Sequence, residues 1–156
     1  MKANVGRFVE AQIRKGESVQ GEFMMGIDNN VLSEWWKPQP NPAVVDWIET
    51  ADWFVPAPVI AEIQEGAESD PSAVRKLQIN ARLDEFIRDF GELVIDLDAE
   101  TARTWGRLKH SVAVKRQPQA LWDSLIDAMA VRHSLVVATR NTADFRHADT
   151  FNPWLD

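Results

Sequence analysis

Short apolar runs alternate along this chain with longer segments of helical periodicity. Phe23-Met24-Met25-Gly26-Ile27 is an apolar run ending in Asp28-Asn29-Asn30, the pattern of a buried strand with polar residues at its C-terminal end. Val31 to Trp36 carries apolar residues at helical spacing. Lys37-Pro38-Gln39-Pro40 then breaks it, because proline cannot continue a helix and restricts the residue before it. Asn41-Pro42 predicts a new helix, with Asn41 as cap, Pro42 in the first turn, and Val44, Val45, Trp47 and Ile48 on its apolar side. Asp52 to Val55 is a short strand candidate, and Pro58 opens a helix through Glu62 towards Glu68. Asp70-Pro71 reads as a cap and proline start for a long helix to Phe90, which Gly91 closes.

Leu93-Val94-Ile95 is another buried-strand signal, and Asp98 caps a helix bearing Ala102, Trp105, Leu108 and Val112. Lys115-Arg116-Gln117-Pro118 reads as a loop. A helix from Gln119 to His133 leads into Leu135-Val136-Val137-Ala138, the clearest strand in the chain. Phe151-Asn152-Pro153-Trp154 reads as a last edge strand, where proline is tolerated. Strands alternating with helices predict a parallel α/β sheet with helices on both faces, whose sites form at the C-terminal ends of the strands.

Composition narrows the function. The 156 residues fit one domain with a core of its own. There is no cysteine, which excludes disulfides, thiolate metal sites and a cysteine nucleophile. The opening MKANVGRFVEAQIRKGESV has no apolar leader region, and no apolar run approaches membrane-spanning length, so a cytoplasmic protein with no membrane partner is expected. A net charge of −7 argues against a broad basic nucleic-acid face. It remains compatible with a nuclease whose divalent ions supply positive charge at the phosphate.

Four acids fall where a parallel sheet would gather them. Asp28 lies just past one strand, Glu62 in the helix after a second, Asp123 in the first turn of the helix before the Leu135 strand, and Asp144 after that strand. Each alone has an ordinary role: Asp28 or Asp123 as a helix cap, Glu62 on a solvated face, Asp144 in a turn. Held together they would repel unless a cation or proton compensates, and Mg²⁺ or Mn²⁺ favours a few carboxylates completed by water and phosphate. His110, His133 and His147 lack metal-ligand spacing, and His133, at a helix end, is expected to interact with the dipole there. The serines show no nucleophile elbow, and there is no glycine-rich phosphate loop. The seven tryptophans read as core, although adjacent Trp35 and Trp36 cannot both face the same way, which leaves one available to a partner.

The local wording adds to this. Met24-Met25-Gly26-Ile27-Asp28-Asn29-Asn30-Val31-Leu32-Ser33-Glu34 resembles the opening of PIN-domain toxins of the VapC and FitB type. Val59 to Gly66, with Glu62 four residues before the glycine, is similar to that family's second motif. Asp123-Ser124-Leu125-Ile126-Asp127-Ala128-Met129-Ala130 is similar to its third, Val137 to Phe145 to its fourth, and Phe151-Asn152-Pro153-Trp154 to the close of the FitB-like branch. The resemblance implies a three-layer α/β fold with a central, mostly parallel sheet of four to five short strands. It implies a metal-dependent ribonuclease, toxin of a type II toxin–antitoxin pair, acting on single-stranded or looped RNA such as transfer RNA.

It further implies metal-site acids Asp28, Glu62 and Asp123; related branches carry the fourth acid at the position of Asn141, so Asp144 would either substitute as the fourth catalytic acid or only shape the loop. Asn30 would orient a ligand or water. On the nuclease reading Arg140, Lys115 and Arg116 would either steer the RNA backbone or serve as ordinary solvated loop cations. A cognate antitoxin and a homodimer are implied partners.

Two departures bear on activity. Asn29 replaces the family's hydroxyl residue, and Asp127 stands where a small residue is preferred, one turn from Asp123. Asp127 is expected to face solvent or, alternatively, to add a carboxylate at the metal. The alternative function is a weakened PIN scaffold that binds an antitoxin or associates with itself. Residues 1–23 read as an extension outside a 24–156 PIN domain, with Met24 or Met25 the natural initiator. Residues 7–16 resemble a helix of ribbon-helix-helix antitoxins such as ParD, so an upstream start or a fused fragment is expected.

Overall fold

Among the described residues every strand is buried on both faces or lies at a sheet edge, which is why the strands read as continuous apolar runs instead of alternating ones. The computed structural model describes residues 24–155, so the extension at 1–23, with its antitoxin-like segment at 7–16, lies outside the described residues. The elements are β1 (Met25–Ile27), α1 (Asn29–Trp35), α2 (Pro42–Thr50), β2 (Trp53–Pro56), α3 (Ala57–Ser69), α4 (Ala73–Phe90) and β3 (Val94–Ile95). They continue with α5 (Ala99–Leu108), α6 (Val112–Arg116), α7 (Leu121–His133), β4 (Val136–Ala138) and β5 (Thr150–Phe151).

The sheet has five strands, all parallel, in the order β3-β2-β1-β4-β5. Helices cover both of its faces in three layers, as expected. The chain steps from β1 outward through β2 and β3, then returns to the other side of β1 with β4 and β5. The switch in direction therefore lies between β1 and β4, where Gly26 pairs with Val137 and Ile27 with Ala138. Parallel α/β sheets open a crevice at such a point, beyond the strand C-termini.

Local chemistry sets most helix boundaries. Asn41 Oδ1 accepts the Ala43 amide at 2.9 Å with Pro42 in the first turn, as the sequence predicts. The long helix starts later than the Asp70-Pro71 signal indicates: Ser72 is its cap, accepting the Arg75 amide at 3.2 Å, because Asp70 is committed to the Ser72 amide and the Arg75 guanidinium. The helix opened by Asp98 stops at Leu108, and Ser111 caps a separate short helix that contains Val112. The edge strand ends at Phe151, before Asn152 and Pro153. Ser134 closes α7 in the left-handed region at φ 55°, and the Leu135 amide turns back to the Ala130 carbonyl at 2.8 Å.

The core is aliphatic around β1, β2, β4 and α7, and aromatic at one end. There Trp53 stacks on Phe86 at 6.4 Å between ring centroids, while Trp35 meets Trp53 edge-on at 6.1 Å and Trp36 meets Phe86 at 6.0 Å. Both neighbouring tryptophans therefore pack on one cluster, and neither is left exposed. Trp36 manages this because it is the cap residue, where the chain leaves α1. Among the described residues no helix is long and apolar enough to cross a membrane.

Candidate active site

The first residue beyond β1 and the first beyond β4 meet at the switch point. Asp28 continues the ladder, its amide donating to the Ala138 carbonyl at 3.0 Å, and its carboxyl is 4% exposed. Oδ1 accepts the Asn29 amide at 2.7 Å and so caps α1. Oδ2 accepts the Thr139 hydroxyl at 2.8 Å and the Asn30 side-chain amide at 3.2 Å. Thr139 is fully buried, and its oxygen also accepts the Asn141 amide at 3.0 Å. Asn30 Oδ1 accepts the Arg140 amide at 3.1 Å, so this one side chain ties the two strand ends together.

Burial raises the Asp28 pKa above the ordinary value of 3.8; hydrogen bonds from Thr139, Asn29 and Asn30 oppose this, and the charge of Asp144 adds to it. Glu62, half-buried on α3, is raised first by burial and then by the charge of Asp28, with Asp123 and Glu65 adding and the Asn29 side chain opposing. Its Oε2 is buried without a hydrogen-bond partner. Asp123, in the first turn of α7, is pushed up to about 6 by burial, then by Asp28, Asp144 and Asp127, against the opposing charge of Arg146. Asp144, half-buried in the 3-10 turn Thr142–Asp144, is felt at both Asp28 and Asp123. The structure thus brings the four acids named from the sequence into one electrostatic neighbourhood.

Among the described residues no three His, Cys, Asp or Glu side chains are placed so that together they could hold a metal ion. The donor set still fits a hard cation of the Mg²⁺ kind, which takes one or two carboxylates and keeps waters and phosphate oxygens for the remainder. A buried carboxylate oxygen with no donor at Glu62, beside carboxyls that raise one another's pKa, is what such a cation relieves.

The other candidates separate. Asn30 belongs to the site through the contacts above. Asn141 is exposed and engages through its backbone, with its amide on Thr139 and its carbonyl accepting Asp144 N at 3.0 Å. Arg140 is exposed, and its guanidinium lies 5.3 Å over the Trp154 ring. Lys115 and Arg116 are exposed at the end of α6.

Asp127 departs from the expectation of a solvent-facing carboxylate: it is 1% exposed and accepts hydrogen bonds from the segment after β4. Periodicity placed it on the helix but could not show that loop amides would supply its solvation. His133 does lie in the last turn of α7, where burial and then the charge of Arg132 lower its pKa and its Nε2 is buried without a hydrogen-bond partner. Sequence reasoning missed Thr139, whose signal was a hydroxyl directly after the clearest strand, and Arg146, which nothing local distinguishes.

Beside Glu62 a cavity of about 740 Å³ opens between α1, α3 and α4, with Asn29, Trp36, Lys37, Arg75 and Arg82 among its lining residues.

The family profile described as PIN domain matches residues 25–150. The chain is 33% identical over 139 residues to Toxin FitB of Neisseria gonorrhoeae, covering 85% of this chain and 100% of that protein. It is 31% identical over 137 residues to VapC ribonuclease Y4jK of Sinorhizobium fredii, covering 84% and 98%. The crystal structure of FitAcB from Neisseria gonorrhoeae superposes with a TM-score of 0.72 at 30% identity, over 85% of this chain and 100% of that one.

Proposed function

Because this chain belongs to the PIN-domain family, with relatives of the VapC and FitB toxin type, we propose that it is a divalent-metal-dependent endoribonuclease and the toxin of a type II toxin–antitoxin pair. The observation that carries the reading is the group of mutually unfavourable carboxylates, Asp28 buried and Glu62 and Asp123 half-buried, at the β1–β4 switch point. Asp28, Glu62 and Asp123 are the residues that would hold Mg²⁺ or Mn²⁺, with Asp144 the fourth acid. A cation bound there would neutralise charge on the scissile phosphate and lower the pKa of a water.

The chain's own residues do the rest. Asp28 is held in one orientation by the Asn29 amide, Thr139 and Asn30, so its position does not depend on a ligand. Glu62 presents an oxygen with no competing donor. Asp123 must give up its proton before it can hold a cation, so metal binding releases a proton when the pH lies below about 6. In-line attack of that water on phosphorus would break the bond to the ribose 3′ oxygen, which would leave as a hydroxyl on taking up a proton, the new oxygen staying on the 5′ phosphate. Arg140, Lys115 and Arg116 are offered to the RNA backbone from exposed positions. Single-stranded or looped RNA, including transfer RNA, is the substrate class, since a site of this size does not read a duplex by sequence. A cognate antitoxin, a homodimer and a cytoplasmic setting complete the proposal.

Asp28→Asn and Asp123→Asn test the assignment. Full nuclease activity in either folded variant would remove that residue from the centre. The rival reading, a weakened scaffold whose function is antitoxin binding or self-association, requires instead that the wild-type protein binds no Mn²⁺ in calorimetry.

A further inference from the structure

Asp127 lies one turn beyond Asp123 on α7 and commits both carboxylate oxygens to the segment that follows the 3-10 turn. Oδ1 accepts the Ala148 amide at 2.8 Å and the His147 amide at 3.3 Å. Oδ2 accepts the Arg146 amide at 3.3 Å and Gln119 Nε2 at 3.1 Å, and faces His147 Nδ1 at 2.8 Å. Three successive amides aimed at one carboxylate form an anion nest made from the chain itself. Gln119 Nε2 also donates to the Asp144 carbonyl at 3.0 Å, so Asp144 is tied to the same carboxylate.

His147 Nε2 meets Ser111 Oγ at 2.9 Å. The order Ser111, His147, Asp127 is that of a nucleophilic triad, but Ser111 Oγ is the cap of α6, accepting the Val114 amide at 3.3 Å. The chain of contacts therefore anchors the segment to a second helix. The Arg146 guanidinium on the same segment is bound to carbonyl oxygens, to Gln117 at 2.9 Å and to Ala143 and Pro118. These neutral oxygens leave its charge acting on Asp123.

We propose that Asp127 is a positioning residue of the acid site: it locks residues 144–148 onto α7 and so holds Asp144 and Arg146 facing Asp123. An asparagine would offer one acceptor and add a donor where five donors converge, and a small apolar residue would leave the amides of Arg146, His147 and Ala148 unmatched. The role in catalysis rests on the nuclease reading above.

The test compares the wild-type full chain with Asp127→Ala and Gln119→Ala. It follows amide hydrogen exchange over residues 144–148, Mn²⁺ affinity by calorimetry, and kcat against KM on an RNA the wild type cleaves. Folded Asp127→Ala is expected to exchange faster in that segment, to bind Mn²⁺ about 10-fold more weakly and to lose kcat with KM little changed. Gln119→Ala, which removes a single bridge, shows the same pattern in weaker form.

A purely structural role would lower Tm and leave Mn²⁺ affinity untouched at a temperature where both proteins are folded. Wild-type affinity and kcat in folded Asp127→Ala overturn the proposal. If that variant does not fold, unchanged Mn²⁺ affinity in Gln119→Ala overturns it. A wild-type protein that binds no Mn²⁺ marks failure of the nuclease reading, seen before any variant is compared, and removes this inference with it.

Discussion

Thr139 donates a 2.8 Å hydrogen bond to Asp28 across 111 residues of sequence, joining the end of β4 to the end of β1. The Thr139 hydroxyl has no unused capacity, since it donates to Asp28 and accepts from Asn30 and Asn141. The contact closes the sheet at its switch point and fixes the carboxylate on which the proposed centre is built.

Thr139→Val keeps the shape and removes these bonds. The expected loss of stability is about 1–3 kcal/mol, because the buried Asp28 carboxylate loses a donor and the part-buried Asn30 and Asn141 amides lose this acceptor. Nuclease activity should fall further than stability explains, as Asp28 loses a fixed orientation. Urea unfolding together with an RNA cleavage assay measures both, and equal activity in the folded variant would separate Thr139 from the site.

Acidity gives a prediction with a definite sign. Asp123 holds its proton to about 6 against an ordinary 3.8, and Asp28 and Glu62 shift the same way. A carboxyl whose folded pKa lies above its unfolded one favours the fold at low pH, and that contribution is lost as pH rises through the folded value. The Tm of the metal-free protein is therefore expected to drop between about pH 4 and pH 6, and Mn²⁺ to raise it near pH 7 but little near pH 5. Asp123→Asn should be at least as stable as the wild type without metal near pH 7 and gain less from Mn²⁺. A metal-free Tm whose pH dependence over this range is the same in the wild type and Asp123→Asn would contradict the crowding of the acids.

Glu34 carries the opposite sign. It is buried, accepts Lys37 Nζ at 2.6 Å and the Asn41 amide at 2.8 Å, and those bonds lower its pKa. It thereby holds the start of α2 against the end of α1. Glu34→Ala is expected to cost about 1–3 kcal/mol near neutral pH, with the difference from wild type shrinking in acid, and to leave Mn²⁺ affinity unchanged. Thermal scans across pH with a metal titration check this. A loss of metal binding in the folded variant would move Glu34 into the centre.

Ser134 occupies the left-handed region without being glycine. Ser134→Gly is expected to raise stability by roughly 0.5–1 kcal/mol in chemical denaturation, since glycine adopts that conformation without a Cβ clash. A destabilised variant would show that the strain at this cap is compensated by the serine side chain.

Much of the fold was legible because β1, β2 and β4 are buried on both faces and read as apolar runs. Boundaries were harder where a second polar residue competes: Ser72 displaces Asp70 as a cap, and Ser111 restarts a helix inside a continuous apolar periodicity. Asp28, Glu62 and Asp123 were named through the resemblance of the words around them to PIN-domain motifs, because their places at strand and helix ends alone left ordinary capping and surface roles open. Asp127 could not be read, because most of its partners are amides of residues 146–148, in a loop beyond the next strand, joined by the Gln119 side chain from the loop before α7. Thr139 escaped for the same reason: a threonine after a strand says nothing about an aspartate 111 residues earlier.

The most direct measurement is cleavage of a panel of structured RNAs, transfer RNA included, by the purified protein freed of any antitoxin, in EDTA and then with Mg²⁺ or Mn²⁺, beside Asp28→Asn. Cutting that appears only with metal and vanishes in the variant is the predicted result. Cutting that persists in EDTA, or in folded Asp28→Asn, would contradict a carboxylate-held metal centre at the β1–β4 switch point.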